Sequence, residues 1–310
     1  MNKKLVSLLL CALLLAACIP CLAEGGVVVT DMLGREITLA APASRVVVLM
    51  PADAEILWSL GAADTVVGIG TYCAAPEEIA VMPGIEKLPV VDSGYVTNVE
   101  EILALHPQVV ILTKMGHSED LVNSLAAGQV QVVVTDAQDL AGVYDAIRLI
   151  GALVGKDQQA QALMDDMQQK LAAVTAQAGE TGKTLYIEES PLQWGLWTAG
   201  QGTYMDDLAK ICGLTNIFAD LEGHQAVSEE QVLSRNPDII ITMTMYYGAG
   251  DLPDAEIKGR PGWDAVAAVK NDAVIYDPTN AVALPGPRLV DVAQMLLDML
   301  QAPDAAEPAA

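Results

Sequence analysis

The stretch VSEEQVLSRNPDIII at residues 227–241 has the same grammar as VTNVEEILALHPQVVIL at residues 96–112. With Pro107 aligned on Pro237, Asn98 falls on Ser228, Glu100 on Glu230, Glu101 on Gln231 and Leu103 on Leu233, and the apolar run 109–111 falls on 239–241. In each copy a capping residue opens a short helical segment and a continuous apolar run follows the proline. One helix-then-strand unit therefore occurs in each half of the chain, which argues for two similar α/β lobes.

The alternation continues on both sides of the repeat. VVVTDMLGREITLA at 27–40 reads as two short strands around a turn at Leu33-Gly34-Arg35, and RVVVLM at 45–50 reads as a buried strand. Residues 54–60 read as a helix stopped by Gly61, and TVVGIG at 65–70 as the next strand. The Glu100 helix and its strand at 109–113 follow, and VQVVVT closes another unit at 135. From Asp139 to Ala178 no strand pattern occurs; the stretch reads as helix, with Gly151 and Gly155 as candidate breaks. TLYIEE at 184–189 restarts the alternation, which runs through DIIITM at 238–243 and AVIYD at 273–277 to a closing helix at 289–300. Strands and helices at this spacing call for parallel sheets covered on both faces. The expected organisation is a signal peptide of lipoprotein type at 1–18, an N-terminal lobe at 19–138, an interlobe helix region at 139–178, a C-terminal lobe at 179–302 and a flexible tail at 303–310.

Lys3 and Lys4 followed by the apolar run 5–17 have the charge and length of a secretory signal and are too short for a membrane span. Two cleavage sites compete. Leu15-Ala16-Ala17-Cys18 is similar to the bacterial lipobox, in which Cys18 would be lipidated, while Cys21-Leu22-Ala23 suits an ordinary small-residue site; the lipobox is the stronger reading. Cys18-Ile19-Pro20-Cys21 spells C-x-x-C, but at the end of the signal and not at a strand-to-helix turn. Cys73 and Cys212 remain, one in each half, and read as two isolated thiols. Cleavage removes Lys3 and Lys4 and no acid, so the net charge moves from −24 to −26. Such a chain is a poor partner for nucleic acid, and it disfavours a highly anionic ligand unless basic groups are gathered locally.

Enzyme signatures fail in turn. Gly179-Glu180-Thr181-Gly182-Lys183-Thr184 has Gln177 where a phosphate loop needs its first glycine, and it enters a strand instead of leaving one. Gly68-Ile69-Gly70 and Gly200-Gln201-Gly202 lack the third glycine of a dinucleotide fingerprint and read as tight turns. Neither Gly-x-Ser-x-Gly nor His-Glu-x-x-His occurs, and His106, His117 and His224 are too few for a multi-histidine zinc cage. No catalytic residue, resident metal or cofactor is expected. What remains is a set of residues in expected loops: Tyr72, Tyr95, Trp194, Trp197, Tyr204, His224, Tyr246 and Tyr247. These amphipathic rings suit a pocket wall, although each could instead cap the core of its own lobe.

From Asp31 to Leu300 the chain resembles a known group. DMLGREIT, RVVVLMPADAEILWSLGA, VVGIG, NVEEILALHPQVVI, GLTNIFAD, VSEEQVLSRNPDIII, WDAVAAVKN and PGPRL are together similar to the solute-binding proteins of ABC importers for vitamin B12 and ferric siderophores, with which haem binders are sometimes grouped. The resemblance implies a class III architecture: two Rossmann-like lobes with central parallel sheets, joined by one long rigid interlobe helix, and a ligand held in the cleft between them. It implies that Tyr72 in GTYCAAP lies near a corrinoid and Arg288 in PGPR near the pocket. His224 stands where the vitamin B12 binders carry a tryptophan. The expected ligand-binding residues are Tyr72, Tyr95, Trp194, Trp197, His224, Tyr246 and Arg288.

Asn98 and Ser228 are good N-caps, and Glu101 and Gln231, three residues on, would complete capping boxes, leaving Glu100 and Glu230 over. The resemblance gives those two a role: each would meet an arginine on one copy of a permease dimer. The implied partners are that ABC permease with its ATPase subunits and a small-molecule metal chelate containing cobalt or iron, with a lipid anchor as the only membrane contact and a monomeric receptor. Tris-catecholate and citrate chelates of iron are anionic and want clustered cations. Lys114, Lys258, Arg260 and Arg288 are the few candidates, which favours cobalamin, another corrinoid or a weakly charged chelate, with a ferric siderophore close behind. Haem is the alternative, with His224 or a tyrosine as axial ligand; a two-lobed secreted metal-cofactor enzyme is the least favoured reading.

Overall fold

The computed structural model describes residues 25–94, 96–243 and 252–301. The chain enters through an antiparallel hairpin of β1 (Val27–Thr30) and β2 (Glu36–Leu39). The Asp31 carboxylate closes its turn by accepting from the backbone N–H groups of Leu33 and Arg35 and from the Arg35 guanidinium. It also accepts from the Val134 N–H, which sews the hairpin to the first sheet. That sheet holds β3 (Val46–Val48), β4 (Val66–Gly70), β5 (Val90–Val91), β6 (Val109–Thr113) and β7 (Gln131–Thr135), all parallel, in the order β5-β4-β3-β6-β7. Val46, Val47 and Val48 are fully buried, as a central strand covered on both faces requires. Helices α1 (Pro51–Ser59), α2 (Pro76–Val81), α3 (Val99–Ala104) and α4 (Glu119–Ala127) lie between the strands.

Two local readings change. Helix α1 starts at Pro51 instead of Ala54, because proline's fixed φ and missing N–H suit the first helical position. Gly68 and Gly70 lie inside β4 and make no turn: a Cβ at Gly68 would strike the Leu105 side chain, and one at Gly70 the Leu49 backbone. They are there for close approach between β4 and its neighbours.

The helical bridge is two helices, α5 (Leu140–Leu153) and α6 (Asp157–Ala178). Gly155, at φ +69°, makes the break between them, whereas Gly151 sits within α5 where a Cβ would collide with Ala160 of α6. Helix α5 packs on α1 and β1 of the first lobe. Helix α6, 22 residues long, spans roughly 33 Å at ~1.5 Å per residue and packs on α5 and on helices of the second lobe. Its buried stripe, Ala160, Met164, Met167, Leu171 and Val174, belongs to one apolar cluster that runs from Val46 and Ile111 to Leu296. A joint packed through at core density is stiff, so α6 is the rigid interlobe helix.

The second lobe contains β8 (Thr184–Glu188), β9 (Trp197–Ala199), β10 (Thr215–Asn216), β11 (His224–Ala226), β12 (Ile239–Thr242) and β13 (Val274–Tyr276), with α7 (Tyr204–Ile211), α8 (Glu229–Arg235), α9 (Pro253–Gly259), α10 (Ala267–Lys270) and α11 (Leu289–Gln301). Its main sheet is parallel in the order β10-β8-β12-β13, and β9 pairs with β11 as a separate antiparallel ribbon. The repeated unit lands in matched places: α3 leads into β6 beside β3, and α8 leads into β12 beside β8, each the first strand of its sheet. The two thiols are free and buried.

Candidate ligand-binding cleft

In an open parallel sheet the loops diverge where the chain leaves the first strand on one side and later returns to its other side, and the crevice lies beyond the carboxyl ends there. In the first lobe that point falls between β3 and β6, since β4 lies on the other flank of β3. The observed cavity occupies it. It encloses about 230 Å³ and is lined by Met50 and Asp53 after β3, by Thr113, Lys114 and Met115 at the end of β6, and by Thr135, Asp136 and Gln138 at the end of β7. The second lobe closes it with Tyr204, His224 and the segment Ala283–Pro285. The cavity is therefore interlobe, with much of its wall apolar.

Its lysine and its histidine are answered locally. Lys114 Nζ lies 2.7 Å from Asp136 Oδ2, and Gln138 Nε2 donates to Asp136 Oδ1 at 2.8 Å. His224 Nδ1 meets Glu189 Oε1 at 2.7 Å. That hydrogen bond holds the imidazole pKa above the ordinary 6.5, against the opposing effect of burial. Because the folded value is raised, the pair stabilises the fold below about pH 6.5, and its contribution is lost as pH rises through the folded value. An NMR titration should accordingly place His224 above 6.5, and Glu189→Gln should lower it; identical curves would mean the pair does not form in solution.

The other cations expected to meet a ligand are committed elsewhere. Arg260 donates to both oxygens of Glu188 at 2.8 Å, pairs with Glu256 and stacks 4.5 Å from the centre of the Trp263 ring. Lys258 pairs with Asp272 at 2.7 Å. Arg288 lies just beyond the cavity-lining Pro285, and its guanidinium turns into the lobe junction against Glu55 and Glu78 while donating to the Thr279 carbonyl. An anionic chelate thus meets no unpaired cation among the described lining residues.

Of the expected binding residues, His224 lines the cavity. Tyr72 follows β4, and Trp194 and Trp197 follow β8; all three are among the exposed large side chains, at 41%, 51% and 45%. Tyr95 and Tyr246 lie outside the described residues, as does Cys18. The sequence reading missed Met50, Asp53, Thr113, Thr135 and Gln138. Met50, Thr113 and Thr135 carried a positional signal, each standing at or just after the end of a β-branched run. Glu100 and Glu230 are both exposed, each the second residue of its helix, and neither lines the cavity. Only the second capping box is complete. Ser228 accepts from the Gln231 N–H and its own N–H donates to Gln231 Oε1, whereas Glu101 turns to accept from the Asp92 N–H, leaving Asn98 to cap alone.

Among the described residues no three His, Cys, Asp or Glu side chains are grouped to hold a metal ion, and no helix is long and apolar enough to cross a membrane. The chain is 28% identical over 281 residues to an uncharacterised ABC transporter substrate-binding lipoprotein of Bacillus subtilis, covering 88% of this chain and 85% of that one. It is 32% identical over 207 residues to the vitamin B12-binding protein of Salmonella typhimurium, covering 65% of this chain and 72% of the relative. A solved structure described as a possible iron-binding periplasmic solute-binding protein from Staphylococcus epidermidis superposes with a TM-score of 0.68 at 28% identity, over 84% of this chain and 99% of that one. The two parallel-sheet lobes, the rigid interlobe helix and the cavity between them agree with the family profile described as periplasmic binding protein, which matches residues 46–281, and the chain belongs to that family.

Proposed function

We propose that the protein is the extracytoplasmic receptor of an ABC importer and that its cleft captures a weakly charged metal chelate, a corrinoid first and a ferric siderophore second. The observation that carries this reading is the interlobe cavity whose cation, Lys114, is already paired with Asp136. Its volume falls below the ~300 to 1,000 Å³ usual for ligand pockets, so it takes one edge of a chelate while the rest lies against the surrounding loops. The similarity to a vitamin B12-binding protein supports the same ligand class. On this reading residues 19–138 and 179–302 form the lobes about the 139–178 bridge, and Cys18 anchors a monomer that serves a permease dimer and its ATPases. Titrating the purified protein with cyanocobalamin, haem and a panel of ferric siderophores while following tryptophan emission tests it; silence towards all of them removes the chelate reading.

Trp263 is fully buried and Trp58 donates to the Pro83 carbonyl, so ligand-dependent emission should come from Trp194 and Trp197. If either ring anchors the chelate, its replacement by alanine should weaken binding roughly thirtyfold, about 2 kcal/mol. Losses below threefold at both positions would assign them to packing in their own lobe.

Haem is the second reading, favoured by one observation. With Nδ1 of His224 held by Glu189, the ring's Nε2 is the nitrogen left to ligate a metal, the arrangement in which a carboxylate orients a ligating histidine.

A further inference from the structure

Asp53 lines the cavity from the first turn of α1 and is 2% exposed. Its carboxylate accepts from the Thr135 hydroxyl, at 2.9 and 3.2 Å, and from no other donor among the described residues. An ionised carboxylate has about four acceptor sites. Thr113 stands opposite Thr135 in the pairing of β6 with β7, and its Oγ1 is buried without a partner. The positive end of α1 favours an acid in its first turn, but that does not explain why this one is buried at a ligand cavity with most of its capacity unused. Burial raises its pKa to about 7, so a donor from the cavity would favour the charged form. Buried polar groups in folded proteins are nearly always satisfied, and the cavity is the side from which a missing donor can come.

We propose that Asp53, with Thr113 and Thr135, forms an anchoring subsite for a hydrogen-bond donor on the rim of the bound chelate, a primary amide or an ammonium group, and that it selects neutral or cationic chelates over polyanionic ones. This rests on the chelate reading above and narrows it. Lys114 does not counter Asp53, because its ammonium is spent on Asp136. A polyanion would therefore face an uncompensated carboxylate, while a donor would complete its shell.

The test measures equilibrium binding of four probes to the mature protein and to Asp53→Asn and Asp53→Ala. The probes are cyanocobalamin, with peripheral primary amides, ferrioxamine B, with a free ammonium, and the anionic ferric enterobactin and haem. Wild type should prefer an amide or ammonium chelate. Asp53→Ala should lose at least about tenfold for it, as one charge-assisted hydrogen bond implies. Asp53→Asn should keep the amide chelate better than the ammonium one, which separates the two donor classes. Ratios between probes on the same folded preparation hold even if a variant is less stable. Unchanged ratios in both variants, or tightest binding of an anionic probe by wild type, would overturn the role of Asp53 while leaving the receptor reading intact. Failure of wild type to bind any probe would remove the chelate reading, and this inference with it.

Discussion

Arg288→Met should lower the stability of the protein at pH 7 by about 3 to 5 kcal/mol, read as a shift in the urea midpoint at constant slope. Glu55 belongs to α1 of the first lobe and is 4% exposed, Glu78 belongs to α2 and is 1% exposed, and the guanidinium that answers both comes from the residue preceding α11 in the second lobe. Removing it leaves two buried carboxylates at the lobe junction with no cation, and the penalty is their desolvation rather than the loss of one contact. The sign with pH follows. Burial, reinforced by the charge of Glu55, raises the pKa of Glu78 above 4.5. A carboxylate raised on folding binds more protons in the folded state, so stability falls as pH rises from about 4.5 through the folded value. Without the arginine the repulsion is larger, and the deficit of the variant should shrink between pH 7 and pH 5. Adding Glu78→Gln to the variant should recover part of the loss at pH 7 and little at pH 5. A midpoint shift worth less than about 1 kcal/mol at pH 7 would mean that the bridge is solvated and contributes as a surface pair does.

That bridge marks the limit of what the sequence discloses. The strands of both sheets are legible because β-branched runs buried on two faces are continuous, as in Val46–Val48 and Ile239–Thr242. The repeat is legible because each copy carries a cap, a helix and a strand in fixed order. Ribbon β9–β11 is not: three residues reading HQA, all exposed, have no periodicity. The fate of the cations is hidden for a different reason. Arg260 and Glu188 are 72 residues apart, and Arg288 and Glu55 are 233 apart, so no local pattern announces those two buried pairings. Asp53 was hidden by its setting, since an acid in a first helical turn is ordinary. The switch point between β3 and β6, by contrast, could have been drawn from the strand order alone, and it holds much of the cavity wall.

The double variant Glu100→Arg/Glu230→Arg should abolish uptake through the cognate importer while leaving the purified receptor folded and its ligand affinity within about twofold, a change of ~0.4 kcal/mol. Folding accounts for the acids around these two. Glu101 takes the Asp92 N–H, Gln231 closes the capping box, and Glu229 accepts from the Trp263 indole at 2.8 Å. Glu100 has no side-chain partner among the described residues, and Glu230 is held below the usual carboxylate range by its own backbone N–H and the Ser228 hydroxyl, so it is ionised and outward. A helix end would be satisfied by either acid alone; it does not require one at the second position of the matched helix in both lobes. In the first lobe α3 connects the parallel strands β5 and β6, so its first turn lies toward the carboxyl edge of that sheet, and neither glutamate lines the cavity. Under the proposed role as receptor for a symmetric permease dimer, these two outward carboxylates would each meet one basic residue of that dimer. Reversal turns both attractions into repulsion in a single step, and each single variant should fall between the double variant and wild type. Transport that persists in the double variant, with the protein folded, exported and loaded, would reduce the pair to two surface charges on helix ends.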